Sequence, residues 1–183
     1  MKKFALRTLS VLPMLALAGA AWTNQPVVNV GVSVSATGPA ASLGIPEKNT
    51  VEVLKTEVDG VKVNYIVLDD ATDTATAVRN MRKLISENNI DVMVGSTVTA
   101  ASLALVDVAA EAKIPLISLN GNAVVVTPQE GAKKWAFKTP QNDSLMAIAL
   151  VHAMKKANVK TLGYIGFADA YGQGWLKELE VVL

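Results

Sequence analysis

Cysteine is absent from the 183 residues, and histidine occurs once, at His152. The first absence excludes disulfides, attachment of lipid to a processed cysteine, and thiolate chemistry, so stability has to come from a packed core. With one histidine and no cysteine, a zinc-type metal site has almost no ligands to draw on, and no metal or other cofactor is expected. A Ser-His-Asp triad would have to use His152, and no G-x-S-x-G elbow accompanies it. His152 follows Leu145, Ile148 and Ala149 by seven, four and three positions, which places it on an apolar helical stripe as a core or boundary residue.

Long hydrophobic runs are also missing. The apolar stretch Leu9–Ala18 follows Lys2, Lys3 and Arg7 and ends in Ala18, Gly19 and Ala20, the layout of a secretory signal peptide cleaved after Ala20 or Ala21. It falls short of the roughly 20 apolar residues that a membrane span needs, and nothing later approaches that length. Residues 1–21 are therefore read as a signal peptide, and the rest as exported, with no stable membrane insertion. Removing the signal takes away three basic residues and leaves 14 against 16 acidic ones, a formal charge of −2. A near-neutral body of this kind argues against nucleic acid as the partner, since phosphate binding needs a concentrated basic face.

From Val27 onwards, strand-like and helix-like segments alternate. VVNVGVSV (27–34), VKVNYIVL (61–68), DVMVG (91–95) and IPLISL (114–119) are short, apolar and β-branched, as buried parallel strands are. Helical segments fall between them, over 45–58, 74–89 and 99–112. In the second, Ala77, Met81, Leu84, Ile85 and Asn88 share one face, and Asp73 or Thr74 can cap its start. Pro46 suits the first turn of the first helix. The expected fold is α/β, a doubly wound parallel sheet with ligands beyond the carboxyl ends of its strands. That rim holds 35–44, 69–73, 96–99 and 120–122.

A strand WAFKT (135–139), a helix (143–157), a strand KTLGYIGF (160–167) and a helix (172–182) follow. They suggest a second strand-helix series begun and not completed, so the chain is expected to be truncated or a fragment. The domain reading is an amino-terminal ligand-binding lobe over 22–139 and the start of a second lobe over 140–183.

Two motifs invite chemistry and fail its requirements. DDATD (69–73) lacks the glycine and the closing glutamate of an EF-hand, and reads as a solvated loop with capping carboxylates, one of which could still face the cleft. SATGPAASLG (35–44) has neither G-x-G-x-x-G nor a Walker lysine. VGSTVTAAS (94–102) has a stronger case. Ser96, Thr97 and Thr99 stand where a strand hands over to a helix, whose first amides have no partners within it. Free amides, the positive end of the helix dipole and adjacent hydroxyls suit a carboxylate. A single hydroxyl serves equally well as a cap, but four, counting Ser102, are more than a cap needs.

The order strand, T-G-P-A-A-S-L-G, helix, strand ending L-D-D, helix, V-G-S-T-V-T-A-A-S, helix, I-P-L-I-S resembles the amino-terminal lobe of type I periplasmic binding proteins. More narrowly, it is similar to the branched-chain amino acid (Leu/Ile/Val) substrate-binding proteins of ABC importers, and GFADAYGQGW (166–175) resembles the opening of their second lobe. The resemblance implies a periplasmic protein that is not an enzyme. It would close two lobes around a small carboxylate, such as a branched-chain amino acid or an aromatic acid, and deliver it to the transmembrane subunits of an ABC permease. It also implies that Thr99 holds the carboxylate, that Ser96 and Thr97 line the same floor, and that Asn120, Gly121 and Asn122 add contacts. Leu43 falls where an aromatic ring often covers the ligand, and Tyr171 lies near the cleft. Leu43 is not aromatic, and Asn120 and Asn122 are bulkier and more polar than is usual there. The alternatives are an exported hydrolase with Thr99 or Ser96 as nucleophile, and a sensor lobe that reports to a signalling receptor.

Overall fold

The computed structural model describes residues 25–183, so the expected signal peptide lies outside the described residues. Chain order is β1 (Val27–Val34), α1 (Ala41–Glu52), β2 (Glu57–Val58), β3 (Val61–Asp69), α2 (Thr74–Asn88), β4 (Val92–Gly95), α3 (Thr99–Ala112), β5 (Leu116–Ser118), β6 (Ala136–Lys138), α4 (Asp143–Lys156) and α5 (Ala170–Val182). Single 3₁₀ turns at Ala123–Val125 and Gly131–Trp135 lie between β5 and β6.

Alternation along β1 builds the centre of the molecule. Val30, Val32 and Val34 project to one face, where Val51 of α1 joins them with Val63 and Tyr65. Gly31 turns to the other face, and a Cβ there would come within 2.9 Å of Ile90 and 3.1 Å of Leu84. That second face carries the main core, with Ala77, Met81 and Leu84 of α2 against Ala101, Leu105 and Ala109 of α3 and Met93 and Leu116 of the sheet. The expected apolar stripe of α2 is the buried one, while Arg79, Arg82 and Lys83 are exposed.

The six strands run in the order β2-β3-β1-β4-β5-β6. All neighbours are parallel except the two-residue β2, which pairs antiparallel with β3. Helices on both faces of a parallel sheet make this the doubly wound arrangement expected. β1 sits between β3 and β4, so the chain winds outward from it in both directions, and the strand order reverses there.

Three expectations are corrected. The first helix begins at Ala41 rather than Ile45 and ends at Glu52, which puts Pro46 in the second turn instead of the first. Gly44 makes this possible, because a Cβ there would lie 2.1 Å from the Ser35 carbonyl oxygen. Second, residues 160–167 form no strand. A parallel strand needs a ladder partner, none stands beside this segment among the described residues, and Ile165 and Phe167 are left exposed. Third, His152 is exposed on α4, whose buried residues are Asp143, Ala147 and Val151. The helix turns a neighbouring face inward, where Ala147 and Val151 meet Leu179 of α5, and the whole expected stripe, with Leu145, Ile148 and Ala149, is exposed.

Candidate functional site

Open parallel sheets offer their binding crevice beyond the carboxyl ends of the strands, at the point where strand order reverses. Here that point lies between β1 and β4, and the residues just after β1, β3 and β4 are Ser35, Asp70 and Ser96, all fully buried. They form one cluster. The Ser35 and Ser96 hydroxyls each donate to the Asp70 carboxyl at 2.7 Å, Ser33 donates at 3.3 Å, and the Thr72 amide adds a fourth bond at 3.1 Å. Burying a carboxyl is costly unless its oxygens are hydrogen-bonded. Here both are, so Asp70 ties three strand ends together. The expectation that DDATD is a solvated loop is corrected at this residue, which is buried.

The other two carboxylates of that motif are exposed. Asp73 accepts from the Thr76 amide at 2.7 Å and caps α2, and its hydrogen bonds with the Thr76 side chain and amide hold its carboxyl below the usual value. At Asp69 burial acts to raise the pKa, but the hydroxyl of Thr37 and the amides of Ala71 and Thr37 outweigh it, so this carboxyl also sits low.

A second cluster continues along the rim. The Ser102 hydroxyl accepts from the Ser96 amide at 3.1 Å and donates to the Ser96 carbonyl at 3.0 Å, which fixes the residue that opens the loop. Ser118 donates to Ser102 at 3.1 Å, and the Asn120 amide group reaches Ser102 and Ser118 at 2.7 and 2.8 Å. Asn120 Oδ1 accepts from the Asn122 amide, and Asn122 Oδ1 accepts from that of Val124. Asn122 therefore starts the 3₁₀ turn, and its side-chain nitrogen reaches the Ala170 carbonyl of α5. The Gly121 carbonyl accepts from Lys138 Nζ at 2.9 Å and from the Asp143 amide. Burial lowers the Lys138 pKa, with Asp143 pulling the other way.

Between these clusters α3 begins. Its preceding residue, Val98, supplies no side-chain cap, so the first amides of the helix lack the partner that a Ser, Thr, Asp or Asn would provide. Thr99 is the first helical residue. It is 3% exposed, and its hydroxyl is buried without a hydrogen-bond partner. Buried hydroxyls are nearly always bonded, and an unbonded one costs on the order of 1–3 kcal/mol. An unpartnered donor beside uncapped amides, at the positive end of a helix dipole, has the chemistry of a carboxylate site.

Thr97, by contrast, is engaged. Its hydroxyl donates to Glu47 Oε2 at 2.5 Å and accepts from the Ser35 amide at 2.9 Å. Leu43 stands one turn before Glu47 on the same face of α1 and is 59% exposed. Tyr171, in the first turn of α5, lines a cavity of about 420 Å³ with Tyr164, Phe167 and Trp175.

The structure thus brings Ser96, Thr97, Thr99, Asn120 and Asn122 onto one rim with Gly121, but commits the side chains of Ser96, Thr97, Asn120 and Asn122 to internal bonds. Sequence reading missed Asp70, Ser33, Ser35 and Glu47. Asp70 and Ser35 had a signal in their position after apolar strands, whereas Glu47 had none.

The arrangement is that of one α/β lobe, with its crevice at the carboxyl rim of the sheet. The family profile for periplasmic binding proteins matches residues 27–183, and the chain belongs to that family. It is similar in structure to an extracellular ligand-binding receptor from Rhodopseudomonas palustris HaA2, with 45% identity and a TM-score of 0.82 over 84% of this chain and 43% of that one. A solute-binding protein of an ABC transporter from Rhodopseudomonas palustris BisB5, solved with 3,4-dihydroxybenzoic acid, is 24% identical with a TM-score of 0.77 over 85% and 43% of the two chains. A leucine-binding protein from Thermotoga maritima MSB8 is 21% identical with a TM-score of 0.73 over 84% and 45%. No curated protein matches. The chain spans less than half the length of these solved structures. These relatives are binding receptors, not enzymes. Among the described residues no helix is long and apolar enough to cross a membrane.

Proposed function

We propose that the chain is the amino-terminal lobe, with the opening of the second, of a periplasmic receptor that binds a small carboxylate for an ABC permease. The observation that carries this reading is Thr99, a buried, unpartnered hydroxyl at the uncapped start of α3. A ligand carboxylate there would take up the hydroxyl and the free amides together, converting the cost of an unpartnered hydroxyl into binding energy. Ser96 and Thr97 act behind it as the scaffold of that floor, and the loop 120–122 forms its side. Leu43, exposed at the start of α1, is the apolar side chain placed to cover a ligand, and Tyr171 is the candidate contact from the second lobe. Closure of the second lobe over this rim shifts the balance of open and closed forms when ligand bridges the two.

At their low identity the dihydroxybenzoate-bound and leucine-binding neighbours establish the fold alone, so their ligands serve as probes. Calorimetry or thermal shift with 3,4-dihydroxybenzoate and leucine, and with 4-hydroxybenzoate as a third, singly hydroxylated acid, tests the reading. A ligand at a hundred times its dissociation constant adds about 2.7 kcal/mol to stability. Binding that is lost in Thr99→Val supports the proposal, and binding that is indifferent to that substitution refutes the site.

A further inference from the structure

The hydroxyl of Thr97 has one proton, and the structure commits it to Glu47, a residue 50 positions earlier on α1. The same oxygen accepts from the Ser35 amide, so α1, the end of β1 and the loop that opens α3 meet at this one atom. Nothing else described fixes Thr97 to α1. Ser96, its neighbour, is held by Asp70 and Ser102. Glu47 is a half-buried carboxyl group beside a site that we read as taking an anion.

We infer that Glu47 is a positioning residue of the binding floor: it anchors Thr97, and through it the loop 96–98 in front of α3, and its ionisation opposes an anionic ligand there. This rests on the reading of the rim as a carboxylate site. An ionised carboxyl accepts the Thr97 proton and adds negative charge where the helix dipole would otherwise favour an anion. A protonated one keeps the hydrogen bond and removes the charge. Burial raises the Glu47 pKa from 4.5, the hydrogen bond from Thr97 lowers it, and the neighbouring Asp70, just after β3, raises it again, with a net upward shift. Ligand affinity should accordingly weaken as pH rises through that shifted value, by at most about tenfold per pH unit.

The test compares wild type, Glu47→Gln and Glu47→Ala in two measurements. The first needs no ligand: exchange of the Ser35 amide reports whether Thr97 is still in place. It should quicken about tenfold in Glu47→Ala and stay near wild type in Glu47→Gln, whose amide oxygen can still accept. Unchanged exchange in Glu47→Ala overturns the anchoring role. The second is the affinity for 4-hydroxybenzoate and leucine between about pH 5 and about pH 8. Glu47→Gln should bind with a flatter pH profile than wild type, and Glu47→Ala should bind more weakly. A Glu47→Gln profile as steep as that of wild type overturns the charge role. If wild type binds neither probe, the carboxylate reading fails, and the exchange measurement still decides on Glu47.

Discussion

Replacing Thr99 by valine exchanges a buried, unpartnered hydroxyl for a methyl group of similar volume. Since Val98, not Thr99, occupies the cap position, no cap is lost, and the removed desolvation cost should raise stability by about 1 kcal/mol. A higher urea midpoint at unchanged slope would record it. The same substitution should abolish carboxylate binding, which separates a site from a packing position. Asp70→Ala acts in the opposite direction. It strips the acceptor from three buried hydroxyls and an amide, and should cost about 3 kcal/mol in the same measurement. Of these two residues Thr99 was legible as a candidate, because hydroxyls at a strand-to-helix handover signal a free helix start. Asp70 was legible only as a rim position after an apolar strand, and its burial was not, because that depends on serines that lie 26 to 37 positions away in sequence.

Elements carry the next set of expectations. Helix α1 approaches β1 only because Gly44 lacks a Cβ, so Gly44→Ala should lower the melting temperature by displacing the helix that holds Glu47 and Leu43. Helix α2 contributes Leu84, fully buried in the main core, and Leu84→Ala should cost about 3 kcal/mol by denaturant unfolding. Its cap gives a pH dependence of known sign. The folded pKa of Asp73 lies below the ordinary 3.8, so its contribution is present in full above that value and fades as pH falls through the lower one. Asp73→Asn, which still caps, should flatten the acid limb of a stability profile. The pattern of spacing predicted α2 and α3 almost residue by residue. It misplaced α1, whose start is set by how closely a glycine lets two backbones approach rather than by any apolar stripe.

At the scale of the molecule, stability is uneven. The sheet and helices α1 to α3 enclose two clusters of buried side chains, whereas the cluster between α4 and α5 is small, Ala147, Val151 and Leu179 with the half-buried Trp175 and Val182. Amides of residues 143–182 should therefore exchange faster than those of the sheet core, as measured by native-state hydrogen exchange. The sequence by itself determined the alternation of strands and helices from 27 to 119, the parallel sheet and the residues at its carboxyl rim, because hydrophobic period and turn residues are local properties. Tertiary structure alone decided which residues of that rim are spent on holding it together and which is left free. Asp70 with its serines, Glu47 with Thr97, and Ser35 with Thr97 are joined across 26 to 62 positions of sequence. Tertiary structure also decided that 160–167 forms no strand, since a strand exists only beside another. Pairings of this kind follow from the order in which the sheet sets its strand ends side by side.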